Sequence, residues 1–148
     1  SITHHVSYRS MAYWLLKTEP MVYSWDHLMT DRETSWDGVR NYQARNNLRA
    51  MKMGDRVFIY HSGDDKEIRG VAEVIKEAYS DPSATEGDWV SVGIRALVPV
   101  GRPLGLEEIR YTHGLAVMPL VTHARLSVQP VSPSQWQDIL KYTKTHLA

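Results

Sequence analysis

The chain of 148 residues lacks cysteine, has a single phenylalanine and carries no net charge. Without cysteine there is no disulfide, no cysteine nucleophile and no thiolate metal site, which is compatible with an intracellular protein. The 17 Lys and Arg residues balance 17 Asp and Glu residues, which argues against a protein that coats nucleic acid through a basic surface. A basic rim around a pocket for one nucleotide remains compatible with this balance.

Long hydrophobic runs are also missing. No apolar stretch approaches the roughly 20 residues that cross a bilayer, and the first ten residues, SITHHVSYRS, lack the apolar core of a signal peptide. Because Met11 follows them, we interpret residues 1–10 as a tag remnant or upstream extension and residues 11–148 as one domain. The 5 Trp and 8 Tyr residues suit a cavity wall as well as a core, since each ring carries a polar tip.

Hydrophobic periodicity predicts an α+β domain. Strands are expected over residues 12–17, 56–61, 68–78, 89–98 and 125–128. Helices are expected after Ser24, over residues 41–52, as one turn over 106–109, and after the capping sequence that begins at Ser132. Residues 31–40 lack periodicity and are expected to form a loop. Because the elements do not alternate with a βαβ rhythm, we expect a curved antiparallel sheet.

The most informative segment is Trp36-Asp-Gly-Val-Arg-Asn-Tyr-Gln-Ala-Arg-Asn46, at a loop-to-helix junction. Free N–H groups in the first turn of a helix attract a phosphate or a base carbonyl. Asn41 either caps this helix or presents a donor and an acceptor to a base edge. Arg45, Arg49 and Lys52 repeat at i, i+4 and i+7, which fits a solvated helix face or a phosphate rim.

Polar side chains also cluster at the ends of three predicted strands, in Lys17-Thr-Glu-Pro20, Tyr60-His-Ser62 and Ser127-Val-Gln-Pro130. Hydrogen-bonding groups at strand ends suit a pocket wall. Each cluster is also compatible with a surface turn and, for His61, with a structural histidine.

Four blocks of the chain resemble the signature of the EVE domain, which is similar to the thymocyte nuclear protein family and belongs to the PUA-like group with YTH and ASCH domains. The blocks are Tyr13-Trp-Leu-Leu-Lys-Thr-Glu-Pro20, Trp36 to Asn46, Asp55-Arg-Val-Phe-Ile-Tyr-His-Ser62 and Leu126-Ser-Val-Gln-Pro-Val131. They run in order from about residue 12 to 142. The resemblance implies a PUA-like β-barrel with peripheral helices. It also implies non-catalytic binding of a modified base, such as methylated or hydroxymethylated cytosine, in DNA or RNA.

The resemblance further implies which residues surround the pocket. They are Lys17, Thr18, Trp36, Asn41, Ala44, Tyr60, His61 and Ser62. Thr18 stands where serine is usual, so its extra methyl group is expected to narrow the cavity. In a bound strand, Arg40, Arg45 and Arg49 are expected to meet phosphates. No metal or cofactor is expected.

Two other classes of function remain open. A small hydrolase or nucleotide-modifying enzyme would use His61 with Glu19 or with Asp64 and Asp65, but the sequence has no nucleophile elbow, P-loop or metal-ligand spacing. A protein-interaction module would use the aromatic loop only as structure. For the base-binding protein, as for these alternatives, we expect an intracellular monomer that is cytoplasmic if bacterial and nuclear if eukaryotic.

Overall fold

The computed structural model describes residues 10–147, so the segment interpreted as a tag remnant lies almost wholly outside the described residues. Within this range the chain forms six strands and five helices. The strands are β1 (Tyr13–Thr18), β2 (Glu33–Trp36), β3 (Arg56–His61), β4 (Glu67–Ser80), β5 (Val90–Gly105) and β6 (Val128–Val131). The helices are α1 (Trp25–Asp31), α2 (Tyr42–Ala50), α3 (Leu106–Arg110), α4 (Pro119–Thr122) and α5 (Pro133–Tyr142). The α+β class is therefore confirmed.

The strands form one mixed sheet in the order β2-β5-β4-β3-β1-β6. The prediction of an antiparallel sheet is wrong for one pair, because β1 and β3 run parallel. The connection between them contains α1, β2 and α2, long enough for the crossover that parallel strands require. The order begins at β2 and ends at β6, and these strands are not paired with each other in the described part of the chain. Closure into a barrel is therefore not confirmed.

The sheet is buried on both faces. In β1, Trp14 and Leu16 point into a core that contains side chains of α1 and α2, whereas Leu15 points into a second core with side chains of α3, α4 and α5. This alternation follows from the two-residue repeat of a strand. Burial of each large apolar side chain contributes roughly 1.5–3 kcal/mol. The strand ends are consequently held in place by a sheet that is packed on both faces.

Strand β2 occupies part of the region predicted to be a loop. Its four residues are too short to show a periodicity of their own, and Asp and Gly follow them at once. These residues adopt a strand instead because they pair in antiparallel fashion with β5, which sets Trp36 opposite Val92. This strand matters because it delivers Trp36 to the loop that enters α2.

Two other strands that contain prolines also differ from prediction. Strand β5 continues past Pro99 and Pro103 to Gly105, and its register against β4 shifts in this stretch. Strand β6 begins at Val128, three residues later than expected, and contains Pro130. A proline cannot donate to a sheet, but bulges and edge strands tolerate it. Helix α4 was not predicted.

Helix α5 begins as predicted. The Ser132 hydroxyl accepts a hydrogen bond from the Gln135 backbone N–H (3.2 Å), and the Gln135 side chain accepts one from the Ser132 N–H (3.0 Å). Pro133 occupies the first helical position. None of the helices within residues 10–147 is long and apolar enough to span a membrane.

Candidate functional site

An open cleft of about 570 Å³ lies where the end of β1 meets the loop between β2 and α2. This volume falls within the roughly 300–1,000 Å³ of typical small-molecule sites. The lining residues are 17–19, 22, 23, 34–41 and 127. Two strand ends, a loop and a helix start therefore converge on one opening.

Trp36 forms an aromatic wall of the cleft. Its side chain is only 8% exposed, and the edge of its ring system meets the Tyr23 ring at a centroid distance of 6.1 Å and an interplanar angle of 83°. Because Trp36 is the last residue of β2 and pairs with Val92 of β5, its position is set by the sheet. Most of the ring packs in the first core, and a small part of it contributes an apolar surface to the cleft.

Asn41 caps α2 and lines the cleft at the same time. Its side-chain oxygen accepts a hydrogen bond from the Ala44 backbone N–H at 2.9 Å. Ala44 itself is fully buried on the inner face of α2 and does not line the cleft. The side-chain NH2 group of Asn41 makes no hydrogen bond within residues 10–147. The capping interpretation is therefore confirmed, and the two amide hydrogens of Asn41 have no partner within these residues.

Lys17 and Thr18 form the floor of the cleft at the end of β1. The Lys17 ammonium donates to the Ala124 carbonyl at 2.8 Å, which leaves two of its three hydrogens, and burial lowers the pKa of Lys17. The Thr18 hydroxyl donates to the Tyr23 carbonyl at 2.5 Å. Its proton is therefore used internally, and only oxygen lone pairs face a ligand.

A buried carboxylate holds the loop that forms the upper wall. Asp81 accepts hydrogen bonds from the Gly38 N–H and from the Arg40 guanidinium, both at 2.9 Å. Burial raises the pKa of Asp81, but hydrogen bonds from Ser83, Arg40 and Gly38 outweigh it and hold the pKa well below its usual range. The loop is thus tied to the turn that follows β4.

Tyr60, His61 and Ser62 do not line the cleft. Tyr60 is buried in the second core, where burial raises its pKa to about 12. His61 is 3% exposed; its Nε2 accepts from the Trp25 N–H at 2.9 Å and its Nδ1 lies 3.0 Å from Asp65 Oδ2. The Ser62 N–H donates to the Thr18 carbonyl at 2.9 Å. These residues support the cleft floor from behind.

The three arginines expected at phosphates are all paired with carboxylates. Arg40 binds Asp81 and lines the cleft, while Arg45 and Arg49 lie outside it and share Asp88 at 2.9 and 3.1 Å. The basic stripe of α2 is therefore partly neutralised, because one carboxylate serves two guanidinium groups. This agrees with the zero net charge of the chain.

Several lining residues escaped the sequence analysis. Thr34 and Ser35 were missed because the lack of periodicity over residues 31–40 predicts a loop, and no motif in the sequence singles out Tyr23. Ser127 belongs to a strand-end pair that was noted, yet a turn explained it equally well. The usable signal was the combination of polar residues at strand ends; their convergence depended on the sheet order.

The fold is shared with a domain of known structure. A YTH domain from Zygosaccharomyces rouxii superposes with a TM-score of 0.60 over 100% of this chain and 96% of that one, at 14% sequence identity, which reflects a shared fold. The chain belongs to the EVE domain family, whose model matches residues 12–142.

The relatives agree with this assignment. Mouse thymocyte nuclear protein 1 is 37% identical over 90% of this chain and 74% of its own length. A protein from Rhodopseudomonas palustris has a TM-score of 0.85 and 43% identity, covering 90% of this chain and 94% of that one. Human THYN1, solved in complex with DNA containing 5-methylcytosine, has a TM-score of 0.83 and 32% identity, covering 92% and 99%.

Proposed function

We propose that this protein binds a single modified nucleobase, with 5-methylcytosine in DNA as the first candidate, and that it acts without catalysis. The observation that carries the proposal is the cleft, where a tryptophan wall faces unused polar groups of Asn41 and Lys17. The human relative solved with DNA containing 5-methylcytosine supports the choice of ligand. A nucleic-acid ligand also supports an intracellular location, and the same cleft chemistry extends to a modified base in RNA.

The polar groups of the cleft match the edges of cytosine. The Asn41 amide and the Lys17 ammonium donate, and therefore suit the ring nitrogen and carbonyl oxygen of the base. Glu19 and Asp37, both exposed at the lining, suit the exocyclic amino group, because carboxylates accept from that group. Stacking on Trp36 contributes roughly 1–3 kcal/mol, comparable to the cost of taking a base out of its stack.

The other predicted site residues have supporting roles in this proposal. Ala44 supplies the capped N–H that orients Asn41, while Ser62 and His61 hold the backbone of β1 and α1. Tyr60 lies under Lys17, whose ammonium is 5.9 Å from the Tyr60 ring centroid. Direct contact with the ligand is therefore assigned to the remaining four predicted residues, which are Lys17, Thr18, Trp36 and Asn41.

The environment of His61 supports a non-catalytic role. A general base must reach the proton that it removes. Both ring nitrogens of His61 are engaged, one by a backbone N–H and the other by Asp65, and the ring does not line the cleft. No cluster of His, Asp and Glu within residues 10–147 has the arrangement of a metal site.

The first test is a binding titration with fluorescently labelled single-stranded DNA that carries 5-methylcytosine or cytosine at one position. Burial of one methyl group is worth about 0.8 kcal/mol, so we expect about fourfold tighter binding of the methylated strand. Matched RNA strands form a second arm. Absence of binding to every strand would contradict the proposal.

The informative variant is Asn41→Ser. Trp36→Ala removes a buried ring and should cost about 3–5 kcal/mol of stability, so it confounds folding with binding. Serine caps a helix about as well as asparagine but lacks the amide donors. We expect an unchanged Tm and about fivefold weaker binding, from one lost hydrogen bond of about 1 kcal/mol. Gln43→Ala, an exposed change on the same helix, should alter neither value.

A further inference from the structure

An exposed aromatic stack stands directly beside the cleft. The rings of Tyr42 and Trp89 are stacked at a centroid distance of 5.1 Å and an interplanar angle of 23°. Tyr42 is 67% exposed, although a tyrosine ring normally buries much of its area. Trp89 covers one face of the ring, and the exposed two thirds of Tyr42 remain accessible to a ligand.

The stack is held in place by charged groups and by a glycine. The Arg45 guanidinium lies 5.0 Å from the Tyr42 ring centroid and 5.7 Å from that of Trp89, and its side chain is only 13% exposed. Gly87 has a φ of +85°, and a Cβ there would lie 2.9 Å from the Trp89 indole nitrogen. The two rings are thus fixed before any ligand arrives, which reduces the entropic cost of binding.

The stack, defined as Tyr42 and Trp89 with Arg45, is continuous with the cleft. Asn41 lines the cleft and is the residue before Tyr42, and Arg40 lines the cleft while its guanidinium lies 5.6 Å from the Trp89 ring centroid. A nucleic-acid strand with one base in the cleft would leave the cleft along Arg40 and Asn41. The next base of that strand would then reach Tyr42.

We propose that Tyr42 and Trp89 form a second stacking platform, which binds the nucleobase adjacent to the one in the cleft on the same strand. This inference rests on the proposed function of the cleft and extends it from one base to two. Aromatic rings accept any base, because every base has a π-face. The platform therefore adds affinity for a strand over a free nucleoside without reading sequence.

The test compares three probes, each measured with the wild type and with Tyr42→Ala. They are 5-methyl-2′-deoxycytidine, a single-stranded trinucleotide with 5-methylcytosine at its centre, and the same trinucleotide with abasic sites on both sides. For the wild type we expect the intact trinucleotide to bind at least about fivefold more tightly than its abasic counterpart. In Tyr42→Ala that advantage should vanish, while the affinity for the nucleoside and the abasic probe stays unchanged. Tyr42→Phe should retain it.

The control variant is Tyr111→Ala, which removes a tyrosine that is 81% exposed and does not line the cleft; it should leave all three affinities unchanged. The inference is overturned if Tyr42→Ala weakens all probes equally, or weakens none. Tyr42-dependent binding of strands without any preference for 5-methylcytosine would keep the platform and overturn the proposed ligand of the cleft. Failure of the wild type to bind all three probes would overturn both.

Discussion

Asp81 illustrates how single residues shape the cleft without facing a ligand. Its side chain is fully buried, and it holds the β2–α2 loop through Gly38 and Arg40. Gly38 has a φ of +79°, a left-handed conformation that glycine adopts without strain. The position of the loop that carries Asn41 into the cleft therefore depends on one carboxylate in the turn after β4.

The ionisation of Asp81 leads to a pH-dependent prediction. Because its folded pKa lies below the ordinary value of 3.8, the ionised form stabilises the fold fully above about pH 4, and that stability is lost as the pH falls further. Asp81→Asn should lower the free energy of unfolding by about 2 kcal/mol at pH 7, or Tm by roughly 5–8 °C. The difference from the wild type should shrink below pH 4.

Thermal unfolding from pH 7 to pH 2 measures this difference. Asp138→Asn, which removes a carboxylate that makes no ion pair in the described part of the chain, is the matched control and should show no such trend. A gap that stays constant across the whole range would show that Asp81 acts only through its shape.

Helix α1 shows how an element is docked. Trp25, its first residue, is 2% exposed and lies directly over Gly70 of β4, where a Cβ atom would overlap the indole ring. The Trp25 N–H is bound by His61 at the end of β3. One glycine and one histidine thus position the helix, and with it Tyr23, beside the cleft.

Gly70→Ala should therefore destabilise the protein by about 1–3 kcal/mol, the usual cost of overpacking. Chemical denaturation of Gly70→Ala, Trp25→Phe and the double variant forms a double-mutant cycle. The smaller phenylalanine ring makes room for the methyl group, so the double variant should lose less stability than the sum of the two single changes. Simple additivity would show that the methyl group is accommodated elsewhere.

Across the whole molecule, positive and negative charges are equal in number, and many of the arginines contact a carboxylate. Arg40, Arg45 and Arg49 around the cleft and stack each contact Asp81 or Asp88. Hydrogen bonding from Arg49 is the main cause that lowers the pKa of Asp88, so Asp88 is ionised at neutral pH. The protein therefore presents few unpaired cations to phosphates.

This balance predicts a weak dependence of DNA binding on salt. With at most three phosphates neutralised, log Kobs against log salt should have a slope between about −1 and −3. Asp88→Asn frees Arg45 and Arg49 and should steepen the slope by about one. Titrations between about 50 and 200 mM salt measure the slope.

The matched control for the salt dependence is Glu107→Gln. Glu107 pairs with Arg110, outside the cleft and the stack, so its loss should leave the slope unchanged. A wild-type slope of about −5 or steeper would indicate a broad electrostatic interface and contradict the single-base mode.

Local chemistry sufficed to predict much of the fold. Strand β3 begins and ends as expected because its run of β-branched and aromatic residues is unambiguous, and the caps at Ser24, Asn41 and Ser132 are present because capping depends on neighbours in sequence. Strand β2 could not be predicted in this way, because it forms only by pairing with β5, which lies far along the chain.

The sequence by itself determined the α+β class, the starts of four of the five helices and the family, because each rests on local pattern or on ordered motifs. Only the tertiary structure decided which polar strand ends share a cleft. Lys17 is the next-to-last residue of β1 and His61 the last residue of the parallel neighbour β3. Lys17 nevertheless lines the cleft, while His61 is buried beneath α1. Their surroundings differ because distant segments, the β2–α2 loop and the first turn of α1, pack against them, and no spacing in the sequence encodes that choice.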